Sequence, residues 1–197
     1  ARNNQLVGII AVADTLKDDA FRGICALKKL GLKVYMLTGD NPHIAAAIAK
    51  KAGITQYQAS LLPGDKLGFI DKLRSKGSRV AMVGDGINDA PALQAADTGI
   101  AIGAGTDIAI DAAGVVLIKS RLMDVPFALS LSRATLRTIY CNLFWAFFYN
   151  IICIPIAAGV LYPICGIALS PVLAAGAMCI SDIFLIVNTL LLNFRKK

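Results

Sequence analysis

Two short polar runs in this chain have the residue types of a phosphate-handling site: Thr38-Gly39-Asp40-Asn41 and Gly84-Asp85-Gly86-Ile87-Asn88-Asp89. Each follows an apolar run, Lys33–Leu37 or Arg79–Val83, and each leads into a helical pattern. A polar cluster that ends a strand and opens a helix aims backbone N–H groups and the positive end of the helix dipole at one place, which suits an anion. The carboxylates of Asp85 and Asp89 are hard oxygen donors of the kind Mg2+ takes. Lys66, near the start of an intervening helical stretch, supplies a point charge for a phosphate. Taken singly, Thr-Gly-Asp is a capped turn and Gly-Asp-Gly-x-Asn-Asp a structural or calcium-type turn. Their order along the chain, each on a strand end, favours the functional reading.

A second constellation lies in an apolar stretch. Between Ile139 and Leu192 the only charged residue is Asp182. Met178, Ser181 and Asp182 fall at i, i+3 and i+4, on one helical face. A carboxylate within a membrane span is costly and faces a pathway or a partner. Tyr149-Asn150 puts an amide in mid-span, Cys153 follows one turn later, and Pro155 frees backbone carbonyls by removing a donor. Individually, Asn150 and Ser181 also suit helix–helix hydrogen bonds, and Met178 suits packing. As a group they predict a cation site.

Positioning these residues needs two kinds of structure. Across residues 1–125 short β-rich runs alternate with helical ones, which predicts an α/β domain with a parallel sheet. Strands are expected at Leu6–Ala13, Lys33–Leu37, Tyr57–Ala59, Arg79–Val83, Thr98–Ile102 and Val115–Ile118. Helices are expected at Asp18–Leu30, Pro42–Ala52, Asp65–Lys76, Asp89–Ala95 and Thr106–Ala112. Gly31, Gly53 and Gly77 stand where helix C-terminal caps belong, Pro42 at a first helical turn, and Asn88 where it can cap the helix opening at Asp89. The lone His43 is expected on a helix surface.

The chain is 56% hydrophobic with a mean hydropathy of +0.64, too apolar for an ordinary soluble domain. Residues 139–162 and 167–192 are each long enough to cross a hydrocarbon core of about 30 Å as a helix. The short link Pro163-Ile-Cys-Gly166 makes them a hairpin, joined to the first domain by a linking helix at the membrane surface, 126–138. Arg133 and Arg137 precede the first span, and Arg195, Lys196 and Lys197 in the tail 193–197 follow the second. That places both termini in the cytoplasm. Trp145 serves as an interface anchor or packs between helices.

The formal charge of +7 is scattered, with no zinc-finger spacing and no aromatic platform, which argues against a nucleic-acid partner. None of the five cysteines forms a Cys-x-x-Cys, so they are expected to be reduced and to act as small hydrophobes. The polar start, Ala1-Arg-Asn-Asn, lacks the pattern of a secretory signal and lacks Met. The chain is therefore expected to begin inside a longer protein.

TGDN at 38–41, LPGDK at 62–66, GDGINDAPAL at 84–93 and GIAIGAGTDIAI at 99–110 closely resemble the phosphorylation domain of P-type ATPases, within the haloacid dehalogenase-like superfamily. NLFWAFFYNIICIPIAAGVLYP at 142–163 is similar to the copper-exporting branch of the heavy-metal (type IB) pumps. The resemblance implies an ATP-driven metal exporter of the plasma (inner) membrane, working through an aspartyl-phosphate with ATP and Mg2+. In the Thr38-Gly39-Asp40 loop Thr38 would bond the phosphoryl oxygens, and Lys66 would neutralise them. Asp85, with Asp89 near it, would hold Mg2+. Asp40 and Asn88 would hold the loops and the surroundings of the attacking water. Tyr149, Asn150, Met178 and Ser181 would match residues of the Cu+ path, where a soft thioether suits the ion.

The sequence departs from that family in three ways. The Asp-Lys-Thr-Gly-Thr segment that carries the phosphorylated Asp is absent from these residues, as are the nucleotide-binding domain, a Cys-Pro-Cys helix and amino-terminal Cys-x-x-Cys modules. The segment is therefore expected to be inactive alone. In the superfamily the missing motif rides on a strand between the strand that ends at Thr38 and the one that ends at Val83. Two open strand edges should face a gap and pair with whatever supplies that strand, the missing amino-terminal portion or a full-length pump. Finally, the copper branch tends to carry two serines after its Met, whereas Ser181-Asp182 here is similar to the zinc and cadmium branch. Cu+ is the expected cargo and Zn2+ or Cd2+ the alternative. Two other readings are a truncated, non-enzymatic homologue that binds or regulates a full-length partner, and a phosphatase of the same superfamily using Asp14. The residues after Asp14, Thr15-Leu16-Lys17, do not fit the phosphatase.

Overall fold

The computed structural model describes residues 16–85, 89–103, 111–160, 162–165 and 171–194, without the side chains of residues 164, 165, 171–175, 177, 178 and 192–194. The expected strand 6–13, Asn88 and most of the expected helix 106–112 lie outside the described residues. The chain divides into two units, residues 1–127 and 128–197.

In the first unit helix and strand alternate: α1 (Ala20–Lys29), β1 (Tyr35–Leu37), α2 (Pro42–Ala52), β2 (Gln56–Gln58), α3 (Pro63–Ser75), β3 (Ala81–Gly84), α4 (Ala90–Ala95), β4 (Thr98–Ile102) and β5 (Val115–Leu117). Every strand pairing is parallel, as the alternation predicts. The buried residues of α1, Ala20, Gly23, Ile24 and Leu27, recur at helical spacing and define its inner face. In α2 that face is Ala45, Ala49 and Ala52, small enough to let the helix lie close on its neighbours. Ile70, Met82, Ala92, Leu93 and Ala112 form the core between α3, α4 and the sheet. Gly23 meets Leu122 closely: a Cβ there would stand 3.1 Å from Leu122 Cγ.

The helix punctuation follows the sequence with one exception. Gly31, Gly53 and Gly77 all have positive φ just after their helices, closing them as left-handed caps. Asn41 accepts a hydrogen bond from the Ile44 N–H at 3.0 Å, with Pro42 in the first turn of α2. The exception is α4, which begins at Ala90 with Asp89 in the cap position and no side-chain cap bond. The carboxylate of Asp89 is committed to Lys66 instead.

The strands form two sheets, β1-β2 and β3-β4-β5. Among the described residues β1 and β3 each keep one edge without a strand partner. The division falls between the strand that leads to Thr38 and the one that leads to Asp85, where the resemblance implies a gap.

The second unit contains α5 (Asp124–Ala157) from residue 128 onward, the short α6 (Tyr162–Cys165) and α7 (Pro171–Phe194). The expected linking helix and first span are one continuous helix of 34 residues. It ends at Ala157, five positions before the expected boundary at Tyr162. Pro155 stands in its last turn, and Gly159, at φ +84°, closes it. Among the described residues α5 is the helix long and apolar enough to cross a membrane, and α7 contributes a shorter apolar stretch, Cys179–Leu191.

Candidate functional site

The Thr38-Gly39-Asp40 loop is organised by its own side chains. Thr38 Oγ1 donates to Asp40 Oδ2 at 2.7 Å and accepts from the Asp40 N–H at 3.1 Å. Three backbone bonds tie the loop to the segment after β2: Thr38 N–H to Gln58 O, Ser60 N–H to Asp40 O and Leu61 N–H to Thr38 O. Ser60 takes a left-handed conformation, φ +54°, to make its part of this seam. The same segment opens α3, where the Leu62 N–H donates to Asp65 Oδ2 at 2.9 Å. That return bond and Pro63 start the helix at Pro63, two residues ahead of the expected Asp65.

One turn into α3, Lys66 reaches the end of the second sheet. Its Nζ donates to Asp89 Oδ1 at 2.6 Å, and both side chains are largely buried. Gly84, the last residue of β3, is backed by the same carboxylate: a Cβ on Gly84 would stand 2.6 Å from Asp89 Oδ2. Asp85 follows, exposed to solvent. The structure thus links the Thr38 loop, through residues 58–62 and α3, to Lys66, Asp89 and the carboxyl end of β3. Asn88 and the alternative nucleophile Asp14 lie outside the described residues. The exposed His43 sits in α2, as expected.

These donors fit Mg2+. The ion needs few protein ligands when phosphate oxygens complete its shell, and Asp85 and Asp89 offer hard carboxylate oxygens at a strand end. Gly84, lacking a Cβ, lets the Asp89 carboxylate come up against the end of β3.

Behind the sheet, Asp97 anchors the start of β3. It accepts from the Val80 N–H at 2.8 Å and faces Arg74 at 3.5 Å. The Val80 hydrogen bond, aided by the charges of Arg74 and Arg79, holds its carboxyl below the ordinary carboxylate range.

In the second unit α5 and α7 flank an open pocket of about 100 Å³ lined by Ala146, Tyr149, Asn150, Cys153, Ser181, Asp182 and Leu185. Four of the five predicted metal-path residues meet there, together with Cys153. The fifth, Met178, lies in α7 one turn before Ser181, and its side chain is outside those described. Trp145 packs on Phe184 with ring centroids 5.8 Å apart, so it serves the helix pair. Below the pocket is a polar contact that the sequence reading did not single out. Asn142 donates to Thr189 Oγ1 at 3.0 Å and accepts from Asn188 Nδ2 at 2.5 Å. Its sequence signal was an amide on the same helical face as Ala146, Tyr149 and Cys153.

The family model for haloacid dehalogenase-like hydrolases matches residues 1–97. Copper-transporting ATPase 1 of Rhizobium meliloti (strain 1021) is 54% identical over 98% of this chain. The silver exporting P-type ATPase of Salmonella typhimurium is 50% identical over 98% of it. The chain spans 23% of the length of each of these relatives. The crystal structure of a zinc-transporting PIB-type ATPase in its E2.Pi state superposes with a TM-score of 0.80 at 39% identity, covering 98% of this chain and 30% of that one. Over nearly its whole length the chain is homologous to a stretch of heavy-metal (type IB) P-type ATPases, and its first 97 residues match a haloacid dehalogenase-like hydrolase family.

Proposed function

We propose that this chain is part of an ATP-driven heavy-metal pump that exports Cu+ through an aspartyl-phosphate cycle, with the phosphorylated Asp supplied from outside these residues. The observation that carries the reading is the meeting of Tyr149, Asn150, Cys153, Ser181 and Asp182 around one pocket between two apolar helices. Polar and charged groups within apolar spanning helices are costly unless they serve a polar occupant or partner. In the first unit Thr38 binds phosphoryl oxygens and Lys66 neutralises them. Asp40 and Asn88 hold the surrounding loops, Asp85 and Asp89 hold Mg2+, and the bound ion screens phosphate charge. The open edges of β1 and β3 suit the strand that carries the nucleophile. Both helices cross the plasma membrane with the chain ends in the cytoplasm.

One observation favours a second cargo. Asp182 brings a hard carboxylate into a pocket whose soft donor among the described side chains is Cys153. That mixture suits Zn2+ or Cd2+ as well as Cu+. Metal-stimulated ATP hydrolysis by the complete pump tests the choice. Cu+ should stimulate more than Zn2+, and Asp182→Ser should sharpen that preference. Stimulation by Zn2+ alone, abolished by Asp182→Ser, would replace copper with the divalent reading. No stimulation by any of these metals would sink the pump.

A further inference from the structure

The half-buried residues of α5 from Asn142 onward are Asn142, Trp145, Ala146, Tyr149, Cys153 and Ile156; those of α7 include Ser181, Leu185 and Asn188. Both sets recur at helical spacing, so each marks the seam that faces the other helix. Along this seam the helices run antiparallel. Asn142 meets Asn188 and Thr189, Ala146 and Leu185 share the pocket wall one turn further, and Tyr149 and Asn150 share it with Ser181 and Asp182 beyond.

Asn142 is the hub of the polar contact at one end. Its amide uses one N–H toward Thr189 Oγ1 and its oxygen toward Asn188 Nδ2. The Thr189 hydroxyl proton goes to the Leu185 carbonyl at 2.8 Å, which leaves its lone pairs free to accept from Asn142. In hydrocarbon each of these groups would be costly without its partner. Apolar surfaces slide and rotate past one another at little cost in lipid, because lipid tails are as apolar as the side chains. A three-residue hydrogen-bonded contact does not. Asn142 lies one turn from Ala146, and Thr189 bonds to the backbone of Leu185, so the contact is joined directly to the pocket wall.

We infer that Asn142, Asn188 and Thr189 form a positioning clamp that sets the rotation and register of α5 against α7, and so brings Ser181 and Asp182 opposite Asn150 and Cys153. The inference rests on the cation-site reading only for its consequence, since the geometry it predicts is measurable without metal. The test uses the full chain in lipid nanodiscs, with its native cysteines replaced and new ones placed at Ala146 and Leu185. Oxidation should link them readily in the parent. Adding Asn142→Ala should slow the link about threefold to tenfold and divert it to a cysteine at Phe184. Asn188→Ala should do the same, and the two together should do no more than either. Thr189→Val, which keeps shape, supplies the variant to use if an asparagine change prevents folding, and it too should slow the link. An unchanged rate and position, or losses that add, would overturn the clamp. Cd2+ titration of a separate chain that keeps Cys153 as its single cysteine, without the cross-linking pair, read by thiolate absorption, separates the two ideas. No Cd2+ binding removes the cation site while the cross-linking still decides the clamp, and binding that weakens with Asn142→Ala supports both.

Discussion

Lys66 Nζ and Asp89 Oδ1 lie 2.6 Å apart, with side chains 16% and 14% exposed. Each charge is largely withdrawn from water and screened by the other, so neither is neutral to remove. Lys66→Met should destabilise the chain by about 1–3 kcal/mol, because it strands the carboxylate. Asp89→Asn should cost a similar amount, and the double variant little more than either. Urea unfolding of the full chain in detergent measures all three, and losses that add would mean that the two residues do not act as a pair.

Gly84 and Gly99 should differ although both are crowded. A Cβ at Gly84 meets the Asp89 side chain at 2.6 Å, which can swing aside at the expense of its bond to Lys66. A Cβ at Gly99 meets the Leu93 carbonyl oxygen at 2.6 Å, which is backbone within α4. Gly84→Ala should cost about 1–3 kcal/mol and Gly99→Ala at least the upper end of that range. In a Lys66→Met background Gly84→Ala should become cheaper and Gly99→Ala should not. Thermal unfolding of these four variants against the parent and Lys66→Met checks the order.

Ser60 is the described non-glycine residue with positive φ. Its conformation lets its N–H reach Asp40 O and close the Thr38 loop. Ser60→Gly removes the steric cost but adds freedom to the unfolded chain. The expected net effect is a gain of about 0.5 kcal/mol. A measurable loss in unfolding free energy would show that the serine side chain contributes something that the backbone argument omits.

Asp97 makes part of the stability depend on pH. Its folded carboxyl titrates below the ordinary value of 3.8, chiefly through the Val80 N–H. The unfolded chain therefore binds this proton more readily than the folded one. The stabilisation is fully present above that ordinary value and is lost as pH falls through the depressed folded value. Asp97→Asn should remove this acid-side dependence while leaving the slope above pH 5 unchanged. Unfolding midpoints followed from pH 6 down to pH 3 test it, and an identical acid slope in the variant would contradict it.

The elements were legible where local chemistry decides them. Pro42, Asn41 and Gly53 bound α2 as their backbone preferences require, and β4 runs from Thr98 to Ile102 as its apolar pattern implies. Boundaries slipped where a side-chain bond intervened, local at α3 and long-range at α4. Asp65 pulled the start of α3 back to Pro63, and Lys66 took the carboxylate of Asp89 away from capping duty. The candidate site residues were also legible by type, since Thr38, Lys66, Asp85 and Asp89 stand at strand and helix ends, and Tyr149, Asn150, Ser181 and Asp182 are polar groups in apolar helices.

By itself the sequence determined which side chains carry charge, which helix faces are polar and where backbone turns must fall, because propensity and periodicity act over a few residues. Only the tertiary structure decided that Lys66 spends its charge on Asp89 and that Asn142 meets Asn188 and Thr189. Those outcomes depend on distances between residues far apart in the chain, which packing sets and spacing along the sequence does not encode.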